Sequence, residues 1–144
     1  MNLRVATFAD EDLLLSWRND PVVRVNSINT QIISRESHYD WLTKIINSHD
    51  THLYIAEING APVGQGRIER AWKAISKDLD QALIGYSVEE NYRGYGHGKE
   101  LAKLLVHAAI SLHGYTTVLC RIKRSNTKSL SVAVSAGVHV VEFF

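Results

Sequence analysis

The sequence predicts a single α/β (α+β) domain over residues 1–144, with a mixed, mostly antiparallel central sheet of about six or seven strands and helices on both faces. Three observations carry this expectation. An Asn59-Gly60 pair joins two apolar runs, the pattern of a tight β-hairpin. The second half alternates strand-like and helix-like patterns, which implies β-α-β crossovers. The length, 144 residues, suits one hydrophobic core.

Along the chain, Leu3 to Phe8 alternates as a first strand, and Asp10 is placed to cap a helix through Leu13, Leu14 and Trp17 to Asn19, where Pro21 stops it. The residues after Pro21 read as a loop or short helix. Ser34 is the expected cap of a helix that ends at Ile46, with Tyr39, Leu42, Ile45 and Ile46 as its apolar stripe. Strands are expected at HLYIAEI and VGQGRIER, on either side of the Asn-Gly turn. Ala71 to Gln81 reads as the loop of a second hairpin that returns as ALIGYSVEE. Leu101, Leu104, Leu105, Ala108, Ala109 and Leu112 then repeat at helical spacing, with Gly114 as the stop. The strand TTVLCRI, a helix from Thr127 to Ala136 ended by Gly137, and a last strand VHVVEFF complete the order β-α-α-β-β-β-α-β-α-β. That last strand is expected to be short, or to be supplied by a partner subunit in a homodimer.

Composition narrows the function classes. A net charge of +1 lacks the basic excess of a nucleic-acid binder. No apolar run approaches membrane-spanning length, and the start, MNLRVATFADED, lacks the features of an export signal. The one cysteine, Cys120, alternates with Val118 and Ile122 and reads as a buried structural thiol, which suits a cytoplasmic location. The histidines are scattered, and the pair in HDTH has no further ligands beside it, so no metal is expected.

The stretch NYRGYGHGKE carries the chemistry. It sits between a predicted strand and a predicted helix, where backbone N–H groups and the helix dipole converge on an anion. A P-loop would need a glycine at Arg93 and Ser or Thr at Glu100. A dinucleotide fingerprint would need an acidic residue about 20 positions further on, and none occurs between Glu100 and Glu142. What remains is Arg93-x-x-Gly96-x-Gly98, and here the chain resembles the GNAT superfamily of acyl-CoA-dependent N-acetyltransferases. Its element order resembles that superfamily from near residue 1 to near residue 140, and SNTKSLSVAVSAGV resembles a further family segment through Asn126, Ser129 and Gly137. Val138 replaces the usual aromatic.

The resemblance implies direct attack by an amine on acetyl-CoA, with no acyl-enzyme. It implies cofactor contacts at Tyr86, Ser87 and Val88, with the Val88 N–H polarising the acetyl carbonyl. It also implies pyrophosphate contacts at Arg93, Gly94, Gly96, His97, Gly98 and Lys99, and further cofactor contacts at Asn126. Basic residues of the C-terminal third, Lys103, Arg121 and Lys128 among them, suit such an anionic cofactor. The family's proton-donating tyrosine falls at Ala133, so Ser129 is the replacement candidate. The glutamate of many relatives falls at Leu83, which leaves Glu69 as the candidate base, on one strand face with Gln65 and Arg67. SWRNDPVVR resembles both ribosomal-protein N-terminal acetyltransferases and amino-sugar N-acetyltransferases of the pseudaminic acid type, and residues 33–70 resemble the sugar enzymes more closely. A nucleotide-linked amino sugar is the leading acceptor, met by Trp17, Arg18, Asn19, Gln65 and Arg67. Protein N-terminal acetylation and a non-catalytic, CoA-binding sensor are the alternatives.

Overall fold

The computed structural model describes residues 1–71 and 80–143. Asn59 and Gly60 both adopt positive φ (51° and 80°), as a two-residue turn matched to strand twist requires. They join β2 (Thr51–Ile58) to β3 (Ala61–Arg70). With β1 (Asn2–Val5), β4 (Gln81–Val88), β5 (Thr117–Lys123) and β6 (His139–Phe143) these form one sheet, ordered as the chain runs. The pairings from β1 to β4 are antiparallel; β4 to β5 and β5 to β6 are parallel.

Helices cover both faces, so β2 buries four consecutive residues rather than alternating ones. Leu53 and Ile55 pack with Leu14 and Trp17 of α1 (Glu11–Arg18) and Leu42 of α3 (Arg35–Asn47). Tyr54 and Ala56 face the other way, toward Leu101 and Leu105 of α4 (His97–Ser111) and Ala133 of α5 (Thr127–Ala136). A short α2 (Pro21–Val25) follows α1, with its first turn capped by Asp20 and opened by Pro21. No helix among the described residues is long and apolar enough to cross a membrane.

Three expectations need correction. The first strand stops at Val5 because Thr7 and Asp10 close a capping box around the 3-10 turn Phe8–Asp10. The Asp10 side chain makes no cap bond to α1; its carboxylate accepts from Thr7 N–H (2.9 Å) and from both Arg4 Nη atoms (2.8 and 2.9 Å). On α3 the inward stripe runs through His38 and Leu42, while Tyr39, one position off, is 47% exposed. Of the expected loop Ala71 to Gln81, residues 72–79 lie outside the described residues, as does Phe144.

The Arg4–Asp10 pair gives an acid-sensitive contribution to stability. Arg4 holds the buried Asp10 carboxyl below the usual carboxylate range. The unfolded chain therefore takes up this proton first as pH falls. The contribution is complete above the ordinary aspartate pKa and disappears as pH drops through the lower folded value. Asp10→Asn is expected to cost roughly 2 kcal/mol in urea unfolding at pH 7, with the gap to wild type closing in strong acid.

Candidate active site

Two strands that part from each other make the site. β4 stays paired with β3 through Val88, but its register with β5 ends at Ile84 and Cys120. From Gly85 to Val88 the β5 side of β4 is open. Glu89 N–H donates to Val63 O (2.8 Å), and successive strand amides point to opposite edges, so the Val88 N–H points into the opening. The Val88 carbonyl is already engaged by Arg93 Nε (2.9 Å). Arg93 Nη2 also reaches the Asp20 carboxylate (3.2 Å), so this side chain ties the end of β4 to the start of α2.

The opening leads into a cavity of about 500 Å³ on the α4/α5 face. Its rim is the turn before α4, where Gly94 and Gly96 take φ of 85° and 83°. Side chains cap α2, α3 and α5, through Asp20, Ser34 and Asn126; among the described residues no side chain caps α4. Its first amides, at Gly96, His97, Gly98 and Lys99, are thus left for an anion. Arg93 differs from these: its backbone N–H points at Glu90 O (3.4 Å). Lys99, Arg121 and Lys128 line the same cavity.

Asn126 and Ser129 form the wall opposite β4. Asn126 Oδ1 accepts from Ser129 N–H (3.3 Å), which leaves the amide nitrogen of Asn126 to donate elsewhere. Cys120 and Tyr86 also line the cavity, and burial pushes the thiol up to about 11 and the phenol up to about 12. The thiol is therefore neutral at pH 7, as a structural cysteine should be.

The family model for the acetyltransferase (GNAT) domain matches residues 1–139. The chain belongs to the GNAT acetyltransferase family. It is an acetyl-CoA-dependent N-acetyltransferase. Similar solved structures include the aminoglycoside acetyltransferase AAC(6')-Ib in complex with coenzyme A, at 20% identity and TM-score 0.81, over 94% of this chain and 82% of that one. A spermidine N-acetyltransferase from Vibrio cholerae, in complex with CoA and spermine, is 12% identical with TM-score 0.82, over 94% and 79%. A ribosomal-protein-alanine N-acetyltransferase from Brucella melitensis is 23% identical with TM-score 0.74, over 95% and 83%. At these identities the likeness is one of fold. The uncapped α4 turn, the free edge of β4 and the basic lining fit the pyrophosphate and amide-bearing arm of the GNAT cofactor.

On the other face of the sheet lies a second cavity, of about 320 Å³. Trp17 and Arg18 of α1, His38 and Trp41 of α3, and Gln65 and Arg67 of β3 line it. Ser87 and Val23 border both cavities, so the two meet at the opening in the GNAT sheet. Gln65 Nε2 donates to Ser87 Oγ (3.1 Å) and sets that side chain. Asn19 and Glu69 do not line the cavity. The Asn19 amide exchanges two hydrogen bonds with the Ile33 backbone (2.8 and 2.9 Å), which braces the segment between α2 and α3. Glu69 Oε1 lies 3.5 Å from Arg67 Nε. Sequence reasoning missed His38, because its inward position depends on which residue of α3 faces the core.

Proposed function

We propose that this domain transfers the acetyl group of acetyl-CoA directly to the primary amine of a nucleotide-linked amino sugar, in a ternary complex and without an acyl-enzyme. The meeting of the two cavities at Ser87 carries this reading. A donor held on the α4/α5 face and an acceptor held on the α1/α3 face would reach one another through the gap between β4 and β5. Holding both reactants in register is itself a large part of such catalysis.

Bound acetyl-CoA supplies an activated thioester. The amides of Gly96, His97, Gly98 and Lys99, with Gly94 and Arg93 shaping the turn, would hold its pyrophosphate. Tyr86 and Val88, with Ser87 between them, would pair along the pantetheine, and the Val88 N–H would donate to the acetyl oxygen as negative charge develops there. The Asn126 amide would donate to the arm from the facing wall. No carboxylate lines the acceptor cavity among the described residues, so a base role for Glu69 would run through water. A sugar amine suits this arrangement, because it loses its proton more readily than lysine. Trp17 and Trp41 supply flat apolar surface for a sugar or base ring. The single buried thiol suits a reducing cytoplasm.

Thiol release from acetyl-CoA, followed with a UDP-4-amino-4,6-dideoxy sugar and with N-terminal peptides, tests the acceptor. The sugar is expected to turn over; turnover with peptides alone would overturn it, and cofactor binding without turnover on a broad amine panel would make the domain a sensor. We also assign the proton returned to the leaving thiolate to Ser129, directly or through water. Ser129→Ala is expected to lower kcat by roughly tenfold or less, since a thiol with a pKa near 8 to 9 is a good leaving group. Full turnover in that variant would remove the serine from the mechanism.

A further inference from the structure

We infer that the acceptor cavity contains a built oxyanion site, formed by the Arg18 and Arg67 guanidiniums and the His38 imidazole, which takes a phosphate or carboxylate carried by the substrate. The inference rests on reading this cavity as the acceptor's.

Five buried side-chain polar atoms have no hydrogen-bond partner among the described residues, and three of them, Arg18 Nη1, His38 Nδ1 and Arg67 Nε, belong to residues that line this one cavity. They come from α1, α3 and β3, so no local sequence feature explains their convergence. A buried donor left unpaired is costly, and a charged one more so. Three together mark a place where a ligand completes the structure.

The charges agree. Arg18 Nη2 is anchored on Asn29 O (2.8 Å), which fixes the direction of Nη1. Burial lowers the Arg18 pKa, and its cationic neighbours Arg24 and Arg67 lower it further. Arg67 Nε has Glu69 Oε1 at 3.5 Å, within ion-pair range but without a hydrogen bond, so its positive charge is only partly offset. His38 is 3% exposed, with its ring centroid 5.3 Å from that of Trp41. Burial, with Arg35 and Arg18 against Glu11, holds it below the ordinary histidine range. Neutral at pH 7, it can still donate through an Nδ1–H tautomer.

Two half-buried guanidiniums also select by repulsion. Kanamycin and spermine, held in similar structures, are polyamines; a second ammonium in this cavity would face Arg18 and Arg67. The acceptor class is an amine that carries an oxyanion.

Calorimetric titration of the full chain, saturated with coenzyme A so that the cofactor's own phosphate positions are filled, tests this. UDP, inorganic phosphate and glutamate are the probes. UDP or phosphate is expected to bind, and Arg18→Gln and Arg67→Gln each to weaken it by roughly tenfold or more with coenzyme A affinity unchanged. Arg18→Lys, which keeps the charge without the fork, should recover part of the loss. Glutamate binding as well as UDP would assign a carboxylate as an equal occupant; UDP and phosphate alone would assign a phosphate. Failure of all three probes to bind, or binding that ignores both substitutions in folded protein, would overturn the site. Because the readout is anion binding, it stands apart from any failure of acetyl transfer to the amino sugar.

Discussion

Gly96→Val is expected to abolish acetyl-CoA binding while leaving a folded domain. Gly96 is the residue just before α4, and its φ of 83° lies where a β-branched side chain is strained. Among the described residues, and apart from its two chain neighbours, a Cβ added there meets no atom within 4 Å, so the folded protein has room for it. The strain should cost about 1 to 2 kcal/mol in urea unfolding, a loss that a domain of this size can survive. The binding loss should be far larger, on the order of a hundredfold or more, because the valine would stand over the amides meant for the pyrophosphate. Calorimetry with acetyl-CoA reads one effect and urea unfolding the other. Near-normal affinity in the variant would move the cofactor away from this turn.

Gly64→Ala is the second large effect, and it works from beneath the site. Gly64 of β3 sits opposite Val88, and a Cβ there would lie 2.5 Å from the Ser87 carbonyl oxygen and 3.3 Å from Leu101 Cδ2. The oxygen is backbone and cannot rotate away. One of the strands must shift, at a cost of roughly 1 to 3 kcal/mol. Any shift moves Ser87 and Val88, the residues that border the opening, so turnover should fall by more than stability alone explains. Urea unfolding together with kcat/KM for thiol release checks both, and an unchanged kcat/KM in a stable variant would show that the position of β4 matters less than the geometry suggests.

Much of this architecture was legible from local chemistry. Asn59-Gly60 announced its hairpin because few other dipeptides accept two positive φ angles. The helices α4 and α5 follow from their apolar spacing and from glycines at their ends, and the α4 turn from Arg93, Gly96 and Gly98. What escaped was set by tertiary packing. Tyr39 and His38 are neighbours on α3, and only the angle at which α3 lies on the sheet decides that the histidine turns inward. Glu69 shares a strand face with Gln65 and Arg67, yet the cavity ends before reaching it. The parting of β4 from β5 at Ile84 has no local signal, since it reflects a register between strands more than thirty residues apart. The unpaired atoms of Arg18, His38 and Arg67 escaped for the same reason: hydrogen bonds left unmade are visible only once the partners that could have made them are placed.

Acetyl-CoA bound as proposed would lie in the opening between β4 and β5 with its thioester at Val88. Backbone amide NMR shifts, recorded on the isotope-labelled protein as acetyl-CoA is added, test this residue by residue. The largest changes are expected at Tyr86 and Val88 and at Gly96 to Lys99, with the amides of β1 and β2 almost unmoved. Saturable binding that leaves Val88 and the α4 turn unperturbed would contradict it.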